Sequence, residues 1–473
     1  MSDLPGLPEL GVGIMYFPGL ERVLEAGASN LDVIEVEPQP LCRVVDGTLR
    51  LRPEVTEFLI AQPQAKLVHS VGAPVAGTVH AVDMLDPVAE AVDAFHSPWA
   101  SEHLNFDRVA DDRTSYFTSF LLPQIQSDQA VDVAVANIEA MHDRLGVPIA
   151  VETPVNYLSP WPGELSDGAF LAEIIERAEC GLLLDLHNVW CNERNGRQLV
   201  LDLLDELPLD RVWEVHLAGG QLLDGYWVDA HSGLVDPQLW ELSEEVIRRL
   251  PHLKAINFEV MPEYLTSGRL DPDAVSSELA HMQDLWRMRG SKCPREASRS
   301  VSSATRPRSL LPDCVTWERS VGASVTGRPD AVDAWPALQH DPGMAVYRKM
   351  VRSVRVGVVV DTLRLTYRML ALSIGPETTE ALLDDYLAAA PAHPAAPVEA
   401  EQFVDWLHAN GPAITDLIAV AEFELALIAT QTDRQSAHVL FSREPIQLLE
   451  ALGAGKLPAD ATTSGDFVLD LTP

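Results

Sequence analysis

The histidines and carboxylates of this chain gather at the ends of short apolar runs. His69 closes AKLVHS, Glu102 and His103 close WASEH, and Glu152 closes VPIAVE. Asp185, His187 and Asn188 follow one another in LLLDLHN, His216 closes RVWEVH, Asp229 and His231 stand in DAHSG, and Glu259 lies in KAINFEV. Carboxylates brought together at this density raise one another's pKa unless positive charge sits among them. Lys and Arg are nearly absent from these run ends. A divalent or trivalent metal resolves the conflict, and mixed imidazole and carboxylate ligation suits iron, manganese or zinc better than calcium or magnesium. The donors exceed what one ion uses, so two or three ions are expected.

The elements that would position these groups are legible from periodicity. From residue 11 to about 260, runs beginning at Gly11, Leu31, Ala65, Trp99, Val147, Gly181, Arg211 and Lys254 alternate with longer amphipathic segments. Strand and helix alternating in this number predict an α/β fold, a (β/α)8 barrel of the triosephosphate-isomerase type, over residues 1–285. In that fold chemistry sits at the carboxyl ends of the strands, where the donors fall. Glu35 and Glu37 in IEVEP lie at the second strand's end and read either as supporting groups or as solvated or helix-capping residues. Cys191 reads as a small packing thiol. Residues 286–333, opening with a Ser- and Arg-rich stretch, are expected to form a flexible basic linker, and 334–473 a smaller, mainly helical domain.

Charge narrows the partners. Lys and Arg total 34 against 70 Asp and Glu, a formal net charge of −36, and such a surface repels a phosphate backbone. Nucleic acid is not an expected partner. No run reaches the ~18 apolar residues of a membrane span, and MSDLPGLPEL has no basic segment followed by an apolar one, so neither a membrane nor export is expected and a cytoplasmic location is. Five scattered cysteines without CxxC spacing are expected to be thiols.

Taken in order, HSVGAP, SEHLNF, VETPVNYL, LLLDLHN, VHLAGG and DAHSG make the stretch from about residue 8 to 275 resemble the multinuclear non-heme iron-dependent oxidative enzymes, the group containing the methanobactin-biosynthesis oxidase. The resemblance implies a barrel holding two or three irons in mixed Fe2+/Fe3+ states, with dioxygen as co-substrate. The implied substrate is a ribosomally made precursor peptide, oxidised usually at cysteine. His69, His103, Glu152, Asp185, His216, Asp229, His231 and Glu259 fall where that family places iron ligands. The resemblance implies that His69, His103 and Glu152 hold one ion, that Glu152 bridges to a second held by Asp185, His216 and Glu259, that Asp229 and His231 serve a third, and that Glu152, Asp185 and His216 are the catalytic positions. His187 and Asn188 stand where it has an asparagine pair, and NFEV replaces an acidic pair flanking an arginine. VYRKM, LDDYLAAAPAHPAAP, FVDWL and LIAVAEFELALIAT resemble the helical partner protein often encoded beside these enzymes, which implies that the fused C-terminal domain replaces a separate partner. The competing reading is a redox-neutral barrel, an isomerase or phosphodiesterase using zinc or manganese. An isomerase calls for a lysine near the metal and a DNA hydrolase for a basic groove, and neither is evident in the sequence.

Overall fold

Short strands whose inward side chains must be buried have one way to lose both edges, which is to close into a ring. The computed structural model describes residues 6–45, 48–111, 114–291, 311–327, 336–433, 436–458 and 464–472. Eight parallel strands form a closed barrel: β1 (Gly11–Tyr16), β2 (Val33–Val36), β3 (Ala65–Ser70), β4 (Ala100–His103), β5 (Ile149–Glu152), β6 (Gly181–Asp185), β7 (Val212–Ala218) and β8 (Ala255–Glu259). Each strand pairs with its sequence neighbours, and β8 closes the ring on β1 with Gly13 opposite Asn257. All eight apolar runs of the sequence are these strands.

The barrel interior is layered by the two-residue period of a strand. Val33, Leu67, Trp99, Ala150, Leu183, Trp213 and Ala255 form an apolar plug at the amino-terminal end, backed by Leu7 and Leu10. Two residues further along, the inward positions turn polar: Glu35, His69, Ser101, Glu152, Asp185 and Asn257, all buried. One more step brings His103 and Glu259 to the rim. Gly13 leaves room for this layer, because a Cβ there would lie 2.2 Å from Asn257 Oδ1 and 2.5 Å from the Val33 carbonyl.

The chain divides into two units, the first made of residues 1–112, 121–321 and 334–346 and the second of 113–120, 322–333 and 347–473. Expectation and structure differ inside the stretch read as a linker, where Cys314–Thr326 is a helix. Its buried Cys314, Trp317 and Val321 follow helical spacing and pack within the barrel unit. Trp317 Nε1 donates to the Pro123 carbonyl at 2.9 Å, and the buried Glu318 accepts from Thr78 N at 2.7 Å and Gln124 Nε2 at 2.6 Å. The serine-rich composition of the preceding residues obscured this short apolar stripe. Most of that preceding stretch, including Cys293, lies outside the described residues. Cys42, Cys180, Cys191 and Cys314 are free.

The second unit is mainly helical, with Arg364–Ile374, Pro376–Ala389, Ala396–Asn410, Leu417–Asp433 and Pro445–Gly453 around a core that includes Leu370, Leu383, Tyr386, Phe403 and Val420. It also carries an antiparallel pair, Ala437–Arg443 with Ser464–Leu471, the first strand of which the helical reading did not anticipate. No described helix is long and apolar enough to cross a membrane. Because Trp317 is buried in the barrel unit, Trp317→Ala is expected to destabilise that unit by about 3–5 kcal/mol in denaturant unfolding. A loss below about 1 kcal/mol would show that the helix is a loosely attached tether.

Candidate metal centre

Strands β3 to β8 each bring one donor to the carboxyl end of the barrel: His69, His103, Glu152, Asp185, His216 and Glu259. Parallel register aligns them, with His103 opposite Glu152 and Asp185 opposite His216. His69 Nε2 and His103 Nε2 converge on one oxygen, Glu152 Oε2, at 3.2 and 2.9 Å. The other ring nitrogen of His103 lies 3.2 Å from the Ser70 carbonyl, which can only accept a hydrogen bond. A neutral His103 therefore carries its proton on Nδ1 and points the Nε2 lone pair at a carboxylate oxygen. Two electron pairs facing each other at this distance call for a cation between them. In its absence a proton substitutes: burial opposes charge on His103, but Glu152 and Glu102 hold its pKa well above the usual imidazole range.

Glu152 belongs to two sets of donors. His69, His103 and Glu152 present ligand atoms within 4.8 Å of one another, and so do Glu152, Asp185 and His216. Asp185 divides its oxygens, Oδ1 capping the helix Leu186–Arg194 by accepting from Asn188 N at 2.8 Å while Oδ2 is buried without a partner. Burial, reinforced by Glu259, Asp229 and Glu152, pushes the Asp185 carboxyl well above its usual range. His216 Nδ1 lies 3.2 Å from Glu259 Oε1. Burial disfavours charge on both, yet each holds the other ionised: the pKa of His216 is raised and that of Glu259 lowered.

A third group stands at the mouth, in the loop after β7. Asp229 Oδ1 is 3.0 Å from His231 Nε2 and 3.8 Å from His187 Nε2, and His231 Nε2 is also 3.2 Å from Glu259 Oε2. His231 has φ 45°, a left-handed conformation uncommon outside glycine. Burial opposes its charge, but Asp229 and Glu259 raise its pKa to about 10. His187 sits on the far side of Asp229, beneath Gly220, where a Cβ would lie 2.4 Å from the ring. Asn188 turns instead toward Glu152, its amide donating to Oε1 at 3.3 Å and to the Thr153 carbonyl at 3.2 Å. Cys191 is buried with Sγ 3.4 Å from His187 Nε2, and burial keeps its thiol well above the usual range.

The donor set fits metal on a direct observation. Glu152 Oε2, Asp185 Oδ2, Asn188 Oδ1 and Asp229 Oδ1 are buried without a hydrogen-bonding partner, and the ring nitrogens of His216 face only carboxylates. Among the described residues no Lys or Arg pairs with Glu152, Asp185, Asp229 or Glu259. Glu102, at the fourth strand's end, turns away and is satisfied by Ser70 Oγ at 2.6 Å and Ala73 N at 2.9 Å. Glu37 is half-buried near the mouth. Burial pushes its carboxyl up to about 7, with Glu259 and Glu102 adding to the effect and His103 and His231 opposing it. The sequence reading did not single out Glu214, which is fully buried beneath His216 with Glu35. The two-residue alternation in VWEVH was the available signal.

Residues 11–264 match the family model of the RiPP precursor modification enzymes MbnB/TglH/ChrH. A UPF0276 protein of Streptomyces avermitilis is 26% identical over 436 residues, covering 83% of this chain and 86% of its own length. Another, from Chromobacterium violaceum, is 34% identical over 150 residues, covering 32% of this chain and 53% of its own. Among solved structures, an L-ribulose 3-epimerase covers 58% of this chain and 95% of its own at 13% identity and a TM-score of 0.38. The matched stretch runs from the first barrel strand past the last and contains every donor from His69 to Glu259, and the chain belongs to the MbnB/TglH/ChrH family of RiPP precursor modification enzymes.

Proposed function

We propose that this protein is a multi-iron, dioxygen-using oxidase that modifies a ribosomally made precursor peptide at cysteine. The observation that carries the reading is the set of buried, unpartnered donors converging on Glu152 with no Lys or Arg of the described residues among them. His69, His103 and Glu152 would hold one iron. Glu152 would bridge to a second at Asp185, His216 and Glu259, and Asp229, His231 and His187 would hold a third. Asn188, through its amide, orients the bridging carboxylate. Bound iron would supply the redox chemistry, taking electrons from the substrate and passing them to dioxygen.

The chain's own residues do the rest. Side-chain exposure is 23% for His231, 18% for Asp229 and 14% for His103, against 4% or less for His69, Glu152, His216 and Glu259, so the peptide approaches over the first three. The deeper donors exclude water and keep fixed charges around the reacting side chain, where their interactions are strongest. Asp229 is itself braced, its backbone N–H donating to Tyr157 Oη at 3.1 Å. Lys66, a buried lysine of the barrel, bonds the carbonyls of Gln62 and Gln64 ahead of β3, away from the donors, and so does not supply the cation an isomerase would use. The helical unit is assigned the partner's role of holding the precursor's leader, which raises the local substrate concentration by tethering.

Protein purified anaerobically with iron supplied is expected to contain about two or more iron ions per chain by elemental analysis. Glu152→Ala should lose more metal than Asp229→Ala or His231→Ala, which touch only the outer group. Equal losses would refute the bridging role, and zinc in place of iron would favour the redox-neutral alternative. Turnover of a cysteine-containing peptide encoded beside the gene should stop when dioxygen is removed and resume on its return. Turnover that continues anaerobically would overturn the oxidase assignment.

A further inference from the structure

Beneath the donors lies a second buried layer of charge that the ligand assignment leaves unused. Glu35 on β2 and Glu214 on β7 are both fully buried, and both face His216. Glu35 Oε2 is 2.9 Å from His216 Nε2, and Glu214 Oε1 is 3.5 Å from the same nitrogen. Glu214 is anchored from two sides: Asn257 Nδ2 donates to Oε1 at 2.6 Å and Trp99 Nε1 to Oε2 at 3.1 Å. Glu35 has no such anchor. Among the described residues it forms one ion pair, to His216, and neither of its oxygens takes another hydrogen bond.

A histidine that binds metal through one nitrogen must place its proton on the other, and that proton needs an acceptor. For His216 the two nitrogens face different surroundings. Nδ1 faces Glu259, at 3.2 Å, and with it the metal side, whereas Nε2 faces Glu35. We infer that Glu35 is a positioning residue: it accepts the Nε2 proton of His216, fixing the ring's tautomer and plane so that Nδ1 is presented to the metal. Glu214, pinned by Trp99 and Asn257, sets where Glu35 can lie. This rests on the assignment of His216 as a ligand made above.

The same three residues lie close enough to hold an ion of their own, with ligand atoms within 4.8 Å of one another. The hydrogen bonds argue against that. Each Glu214 oxygen already accepts one hydrogen bond, from Asn257 or Trp99, so the pocket offers an ion Glu35, one nitrogen of His216 and only the remaining lone pairs of a carboxylate pinned by those donors. That is too little to replace the hydration of a divalent cation.

The test uses the full-length chain. Glu35→Leu removes the acceptor, and Glu35→Gln keeps a carbonyl oxygen in its place. Iron retained per chain is measured during dialysis against graded chelator, and melting of the metal-free proteins is measured in parallel. Glu35→Leu is expected to weaken iron retention about 10- to 100-fold without lowering the metal-free melting temperature, since it removes a buried carboxylate whose one partner, His216, keeps Glu259 and Glu214 beside it. Glu35→Gln should restore part of the loss. Unchanged retention in Glu35→Leu would overturn the inference. So would a parallel fall in metal-free melting temperature, which would mark a merely structural role. Loss of one whole ion with the remaining ions held as tightly as before would show a separate cation site instead. Wild-type protein that binds no metal would overturn the metal assignment and this inference together, whereas iron-loaded wild type with an unaffected variant overturns this inference alone.

Discussion

Charge compensation at the barrel mouth is the constraint on which the rest of this structure depends. Glu152, Asp185, Asp229 and Glu259 face a common space in which imidazoles are their partners and, among the described residues, no Lys or Arg intervenes. At about 4 Å, two like charges repel by about 4 kcal/mol even at an effective dielectric of ~20. Side chains so placed either take up protons or share cations. The raised pKa values of His103, His216 and His231 describe the first outcome, in which protons occupy the places of positive charge. The unpartnered lone pairs on Glu152, Asp185 and Asn188 describe what remains unsatisfied when protons alone do the work.

The fold is arranged to hold that conflict rigid. An apolar plug around Trp99 and Trp213, whose rings meet edge to face at 6.5 Å, closes the amino-terminal end of the barrel. Trp99 then reaches upward to Glu214, so the apolar floor and the buried acidic layer are joined by a hydrogen bond. One step higher, Asp185 both caps a helix and offers an oxygen to the centre, tying the position of a donor to the stability of a secondary element. Preorganisation of this kind keeps donors in place when the opposing charge is absent, which would otherwise drive them apart.

The barrel does not end where its strands do. The helix carrying Trp317 and Glu318 completes the first unit by satisfying Thr78 and Gln124. Further on, the Ser159 backbone N–H donates to Asp341 at 3.0 Å, and Gly343 approaches the Tyr157 carbonyl too closely for any Cβ. Tyr157 is the residue whose hydroxyl receives the Asp229 amide, so residues well beyond the last strand brace the outermost donor pair. The alignment with the Streptomyces avermitilis relative covers 83% of the chain and therefore reaches past residues 11–264, so the likeness is not confined to the barrel.

Periodicity determined the architecture: all eight strands and the segregation of a helical C-terminal region follow from where apolar residues recur, because burial of a two-residue or 3.6-residue stripe leaves the chain few alternatives. The candidate ligands were legible for the same reason, since a parallel barrel sends its strand ends to one rim whatever the loops do. Composition was a poorer guide, and Cys314, Trp317 and Val321 were read as part of a tether although they are buried. Tertiary structure alone decided how neighbouring residues divide their tasks. His187 turns to Asp229 and Asn188 to Glu152, though they are adjacent in sequence, because successive positions on a helix point about 100° apart and meet different strands. Glu35 and Glu214, far apart in the chain, meet beneath His216 only because ring closure carries β2 and β7 to opposite sides of one interior, a proximity that no local pattern encodes.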